Sequence, residues 1–165
     1  MIVVVVVEVT NLNQMGISPA EYHRRLQKVR SLSVIQDITK EIVLSDNASL
    51  KDRKIDEFTK GERPDGKKIG IYKDAEYAFF KQAINPMANG YVDLMLSRSF
   101  VGKMYVRPFG SGNFRFDSKD DKTGNLIGKY GVDIMGLNQD WFEKRQKDVY
   151  TFVLVNRIRK YAKIQ

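Results

Sequence analysis

Apolar residues follow three different spacings along this chain, and each spacing predicts a different element. From Ile2 to Val7 they run without interruption. β-Branched residues lose little side-chain freedom on a pleated surface, so this run predicts a strand, and because it is apolar on both faces it needs cover twice, by its own sheet or by another subunit. Tyr22, Leu26, Val29, Leu32, Ile35, Ile38 and Ile42 recur at three- and four-residue steps, which predicts a single long helix from Ser18 to about Leu44 with one apolar stripe. Its start is marked by Ser18 as cap, Pro19 at the first helical position and Glu21 completing a capping box. Phe114-Arg115-Phe116 alternates, as a half-buried strand does.

The remaining pattern fills in around these. Asp46 or Asn47 is placed to cap a short second helix, and Lys54 to Gly61 suits helix or strand. Gly61 to Gly70, with Pro64 and Asp65-Gly66, reads as a turn or hairpin tip. Asp74 to Ile84 reads as an amphipathic helix ended by Asn85-Pro86, since the residue before proline disfavours helical backbone. Phe100 to Val106 is expected to pair with Phe114 to Phe116 as a hairpin, through Pro108 and Gly110-Ser111-Gly112. Asn125 to Lys129 fits one helical turn. Asn138 is a plausible cap for a last helix with Trp141, Phe142, Arg145, Val149, Phe152 and Val153 on its inner side, although Tyr150 to Val155 also has strand propensity. The expected fold class is α+β: a small antiparallel sheet packed with a long N-terminal helix and a C-terminal helix. One domain is expected over residues 1–165, with 1–12 as an extended strand or arm.

Composition narrows the functional classes. With 165 residues and 42% hydrophobic residues, the chain is of a size to bury its own core. It contains no cysteine, which excludes disulfides, thiolate metal sites and a cysteine nucleophile. The Ile2 to Val7 run has no basic flank before it, and Glu8 interrupts it well short of the ~20 apolar residues of a membrane span, so neither secretion nor membrane insertion is expected. The formal net charge of +8 suits an acidic partner, nucleic acid or protein, and equally suits a domain kept soluble by its charge.

Few residues suggest chemistry. Gly61-Glu62-Arg63-Pro64-Asp65-Gly66-Lys67 satisfies the first seven positions of a phosphate-binding loop, but Lys68 replaces the magnesium-binding hydroxyl, and no strand leads in nor helix out. His23 is the only histidine and lies among Arg24 and Arg25, where a solvated surface residue is expected. Asp117, Asp120 and Asp121 lack the alternating spacing of a calcium loop. Neither cofactor, metal nor catalytic residue is therefore assigned, and a non-enzymatic role is expected. His23, Arg24, Arg25, Lys28 and Arg30 mark the outer face of the long helix, while Arg145, Lys147, Tyr150, Arg157, Arg159, Lys160, Tyr161 and Lys163 crowd the last one. Such faces could contact phosphates, but no helix-turn-helix, zinc-finger or RNA-recognition signature accompanies them.

Gly61 to Ile69, then Tyr72, Tyr77 and Lys81, then Val92-Asp93-Leu94-Met95-Leu96-Ser97 with Phe100 and Val106, resembles the tail-completion or minor tail proteins of tailed bacteriophages. Lys129-Tyr130-Gly131-Val132-Asp133-Ile134-Met135-Gly136-Leu137-Asn138 and the helix that follows are similar to the C-terminal half of the same proteins. The resemblance covers residues 54 to 165, and the long Ser18-capped helix is similar to the family's N-terminal helix. The family usually has Thr-Gly where this chain has Ser97-Arg98. The resemblance implies a small α+β virion subunit, made in the host cytoplasm, that assembles with copies of itself in a ring. A hexamer is the commonest form, with a dodecamer as the alternative. The ring stands at the head-tail junction, between connector proteins and the tail tube, and has neither catalytic residues nor cofactor. The interface expected from it and from the patterning comprises Ile2, Val3, Val5 and Val7 together with the basic residues Arg24, Arg25, Lys28, Arg157, Arg159 and Lys160. These would face a neighbouring protein or packaged DNA, and a basic nucleic-acid-binding module is the competing reading.

Overall fold

A computed structural model of the chain describes residues 18–29, 31–109 and 113–163. The strand and arm expected over Ile2 to Val7, the Asn11 to Ile17 link, Arg30 and the Gly110-Ser111-Gly112 connection lie outside the described residues. The class is α+β: helices α1 (Pro19–Val29), α2 (Leu32–Ser45), α3 (Asn47–Thr59), α4 (Ala75–Ile84), α5 (Ser99–Gly102), α6 (Thr123–Tyr130), α7 (Gln139–Arg145) and α8 (Thr151–Tyr161) accompany one antiparallel pair, β1 (Met104–Phe109) and β2 (Asn113–Ser118). The chain divides into two compact units, one of residues 44–144, the other of residues up to 43 together with 145–165.

In the second of these units, the capped start expected at Ser18 is present, with Ser18 Oγ accepting the Glu21 N–H at 3.2 Å. The one long helix is two, α1 and α2. Ser31 lies outside both, its hydroxyl 2.6 Å from that of Ser33, and its carbonyl accepts the Ile35 N–H at 3.3 Å to open a new turn. Serine competes with a helix in this way by offering its own hydrogen bonds. Tyr22, Val29, Ile38, Ile42 and Val43 of the predicted stripe region are buried, as are Tyr150 and Ile158. The last helix is also divided: α7 and α8 are joined by a π-helical turn, Gln146–Tyr150. The extra residue in that turn shifts the inner face, and Phe152, expected inside, is 70% exposed. The expected cap of α7 is made within the unit of residues 44–144, Asn138 Oδ1 accepting the Trp141 N–H at 2.9 Å.

In the unit of residues 44–144, β1 pairs with β2 in the register Val106 to Phe116 and Met104 to Ser118. These four residues are buried, whereas Phe109 near the turn is exposed. The hairpin was expected to begin at Phe100, but Phe100 belongs to α5, where it packs 5.9 Å from the ring of Phe58. α3 lies against β1, and Asn47 Oδ1 accepts the Val106 N–H on the edge of that strand at 3.0 Å. The stretch left open between helix and strand, Lys54 to Gly61, is helical to Thr59. Gly61 then turns the chain at φ +66°, and a side chain there would meet the Val92 carbonyl at 2.9 Å. Residues 62–68 form the expected hairpin tip, closed by a bridge between Glu62 and Lys68, and extended backbone rather than a helix follows. α4 starts and stops where the sequence places it, with Asp74 accepting the Tyr77 N–H at 2.9 Å and Asn85 ending it.

Candidate functional site

α4 turns an unusual face inward. An amphipathic helix ordinarily buries its apolar stripe, yet the buried residue of α4 is Lys81, while Phe79 is 77% and Phe80 50% exposed, with Ile84 at the helix end and Met87 just beyond it also exposed. The reason is the partner that Lys81 meets. Its ammonium lies 2.6 Å from Asp93 Oδ1, and the two side chains are 2% and 1% exposed. A buried ammonium without a counter-charge is too costly to keep, so the helix rotates its lysine inward only because Asp93 is there.

Asp93 is held on all sides. Asn85 Nδ2 donates to Oδ2 at 2.8 Å while also donating to the Thr59 carbonyl, and the Met95 N–H and the Tyr72 hydroxyl donate to Oδ1 at 3.1 and 3.3 Å. Burial pushes the Asp93 carboxyl up, but Lys81, Asn85 and the Met95 N–H outweigh it and leave the group below the usual aspartate range. Burial pushes the Tyr72 hydroxyl above its ordinary range, and the Asp93 carboxylate adds to that. Lys81 is less well served. Its ammonium is sealed from solvent against Asp93, and among the described residues no other carboxylate pairs with it, so one carboxylate meets a group with three donors.

Lys81 and Asp93 form part of the wall of a cavity of about 670 Å³, open at one side. Tyr72 and Tyr77 stand edge to face in its wall, with centroids 5.1 Å apart. Leu94, Leu126 and Tyr130 extend the apolar lining. Exposed Lys73, Lys122 and Lys129 surround it, against the single exposed carboxylate of Asp74, which is engaged as the cap of α4. Leu94 has φ +53° and Arg98 φ +54°, a left-handed backbone that non-glycine residues enter at a cost. The left-handed φ of Arg98 is the conformation a glycine adopts freely.

A second buried pair lies in α3, where Lys54 Nζ is 2.9 Å from Glu57 Oε2 and 4.5 Å from the centre of the Phe58 ring. Burial pushes the Lys54 ammonium below its ordinary range. Glu57 Oε1 accepts the Asn138 N–H at 3.1 Å, which anchors the entry to α7. This pair is enclosed and structural.

The residues singled out in the sequence lie elsewhere. Arg24, Arg25 and Lys28 are on α1, and Arg157, Arg159 and Lys160 on α8, while Ile2, Val3, Val5 and Val7 lie outside the described residues. Arg25 Nη1 donates to the Lys163 carbonyl at 2.6 Å, which brings the two basic helices together at that point. Part of the charge is already answered: Arg24 and Arg25 both pair with Glu21 at 2.8 Å, and Arg157 with Glu41 at 2.6 Å. Hydrogen bonds from Arg24 and Arg25 hold the Glu21 carboxyl down at about 2. His23 is an exposed residue accepting from Gln27 Nε2 at 3.0 Å. Asp117 pairs with Arg107, and Asp120 accepts from Ser99. Among the described residues no three His, Asp or Glu side chains are placed to share a metal, and no helix is long and apolar enough to cross a membrane.

The buried pairs were missed because a charged residue in an apolar stripe looks like a surface position. One signal was available: Lys81 and Asn85 stand four residues apart on one side of the helix, away from Phe79 and Phe80. Comparison of the chain with protein-family models, with curated proteins and with solved structures finds no match.

Proposed function

We propose that this chain is a structural subunit of a tailed-phage particle, one copy in a ring of six, or twelve, at the head-tail junction or the top of the tail. It works by burying surface against copies of itself and against neighbouring connector and tail-tube proteins, not by catalysis. The observation that carries this is the reversed helix α4: Phe79, Phe80, Ile84 and Met87 are held outward by the inward Lys81–Asp93 pair. A chain that fixes a lysine inside and large apolar groups outside presents a surface suited to a partner. Full burial of each such side chain stabilises by roughly 1.5–3 kcal/mol, enough for four of them to matter in an interface after the ordering costs of association. The resemblance of residues 54 to 165 to tail-completion proteins supports the same reading, because Tyr72, Tyr77, Lys81 and Asp93, all in its quoted blocks, are the residues that build this site.

The basic helices α1 and α8 take the second role, contact with an acidic neighbouring protein. Nucleic-acid binding is the competing role for those helices alone, since α4's outer face is apolar.

The test is complementation of a phage lacking the gene with the Phe79→Asp/Phe80→Asp double variant, whose folding is checked by its thermal melt. The expected outcome is a folded chain with heads and tails accumulating unjoined. Normal yields of infectious particles from this variant would overturn the reading.

A further inference from the structure

We infer that the cavity beside Lys81 is a docking slot for a short acidic and apolar segment of a neighbouring virion protein, with a carboxylate of that segment set among Lys73, Lys122 and Lys129. This rests on the structural-subunit reading and names the partner chemistry of its central site.

Two independent features point to a ligand. The cavity, about 670 Å³, exceeds the space of any one side chain and falls within the range of roughly 300–1,000 Å³ typical of binding sites. The second is the uncompensated charge at its mouth, where Lys73, Lys122 and Lys129 are exposed against the one exposed carboxylate of Asp74, itself engaged as the cap of α4.

Charge complementarity then selects the occupant. Around the cavity four lysines face two carboxylates, one of which, Asp93, is matched by Lys81, and the other, Asp74, is engaged with the Tyr77 N–H. Lys73, Lys122 and Lys129 remain to draw in negative charge. The walls between them are tyrosine and leucine, and the rim carries Ile71, 76% exposed, and Leu96, 50% exposed. Tyr77 also lies 6.2 Å from Phe80, so the slot's apolar wall continues into the outer face of α4. A free phosphate or a small organic acid would leave that surface uncovered. A nucleic-acid backbone would meet apolar walls where it needs repeated cations. A peptide with a large apolar side chain one or two residues from an aspartate or glutamate fits both the slot and its rim. A second copy of this chain, with a net charge of +8, fits the lysine rim less well than an acidic neighbour.

The full chain, immobilised, is panned against a random heptapeptide library, and the Lys73→Glu/Lys122→Glu/Lys129→Glu variant is panned in parallel. A 20-base-pair duplex is titrated against both. Expected is enrichment of peptides that join an acidic residue to a large apolar one. It falls at least tenfold on the variant, whose thermal melt matches the parent, and Lys122→Arg retains it. Enrichment without acidic residues, enrichment unchanged on the variant, or no enrichment would each overturn the inference. So would duplex binding that competes with the peptides, which would make this surface a nucleic-acid site. The structural-subunit reading fails separately, through the α4 complementation test: loss of peptide binding with unjoined heads and tails discards the slot alone, and peptide binding with normal particles discards the subunit reading.

Discussion

Lys81 Nζ lies 2.6 Å from Asp93 Oδ1 with both side chains almost wholly removed from solvent, and the lysine comes from a helix whose phenylalanines point the other way. That one ion pair sets which face of α4 is inside, and so which apolar groups are outside. Removing one member of a buried pair strands the other, which typically costs about 3–5 kcal/mol, whereas removing both together is far milder. Lys81→Met and Asp93→Asn are each expected to destabilise by about 3 kcal/mol in urea denaturation. The double variant should cost at least ~2 kcal/mol less than the two single costs added. Additive losses would mean that the pair does not hold α4.

Stability should fall in acid through Asp93. Its carboxyl titrates below the ordinary value of 3.8 in the folded chain, so between the folded and unfolded values the unfolded chain holds more protons. The contribution is therefore complete above about pH 3.8 and is lost as pH falls through the folded value. Lys54 acts at the other end: burial holds it below 10.5, so the unfolded chain again binds more protons and stability rises with pH up to 10.5. Urea midpoints measured from pH 3 to pH 10 should show both limbs. Asp93→Asn should flatten the acid limb and Lys54→Met the alkaline rise.

Arg98 stands at φ +54° where glycine is the residue at ease. Arg98→Gly should stabilise by up to ~1 kcal/mol, the relief of left-handed strain being partly offset by the greater freedom of glycine in the unfolded chain. A higher melting temperature is the readout, and a lower one would show that the Arg98 side chain contributes packing that outweighs the strain.

The basic faces separate the two roles of α1 and α8. Arg157→Ala/Arg159→Ala/Lys160→Ala should impair head-tail joining most at low salt, with the difference from the parent shrinking as salt is raised, because exposed charge pairs are screened beyond ~8–10 Å. Loss of Arg157's pair with Glu41, both partly exposed, should change folding stability by less than ~1 kcal/mol. Particles that assemble normally while the free subunit loses duplex binding would assign these helices to nucleic acid instead.

Much of the secondary structure was legible because its signals are local. Ser18, Asp74 and Asn138 each accept the backbone N–H three residues on, and Asn85-Pro86 ends α4. Breaks inside regular patterns were not legible: the apolar stripe runs straight across Ser31, and the π turn at Gln146–Tyr150 shifts Phe152 outward with no composition change to mark it. The site was the least legible part. Which face of α4 turns inward depends on Asp93, twelve positions after Lys81 and on no shared element, and periodicity reports a stripe without saying what it meets. The basic residues drew attention through number, yet several are balanced locally by Glu21 and Glu41.

The measurement that bears most directly on the central claim is quantitative mass spectrometry of gradient-purified particles made from a genome that encodes this chain. A ring subunit is expected in every joined particle at a fixed copy number of six or twelve, and is expected to be missing from tailless heads or free tails on one side of the junction. Its absence from joined particles, or a trace amount that washes away in salt, would contradict the account.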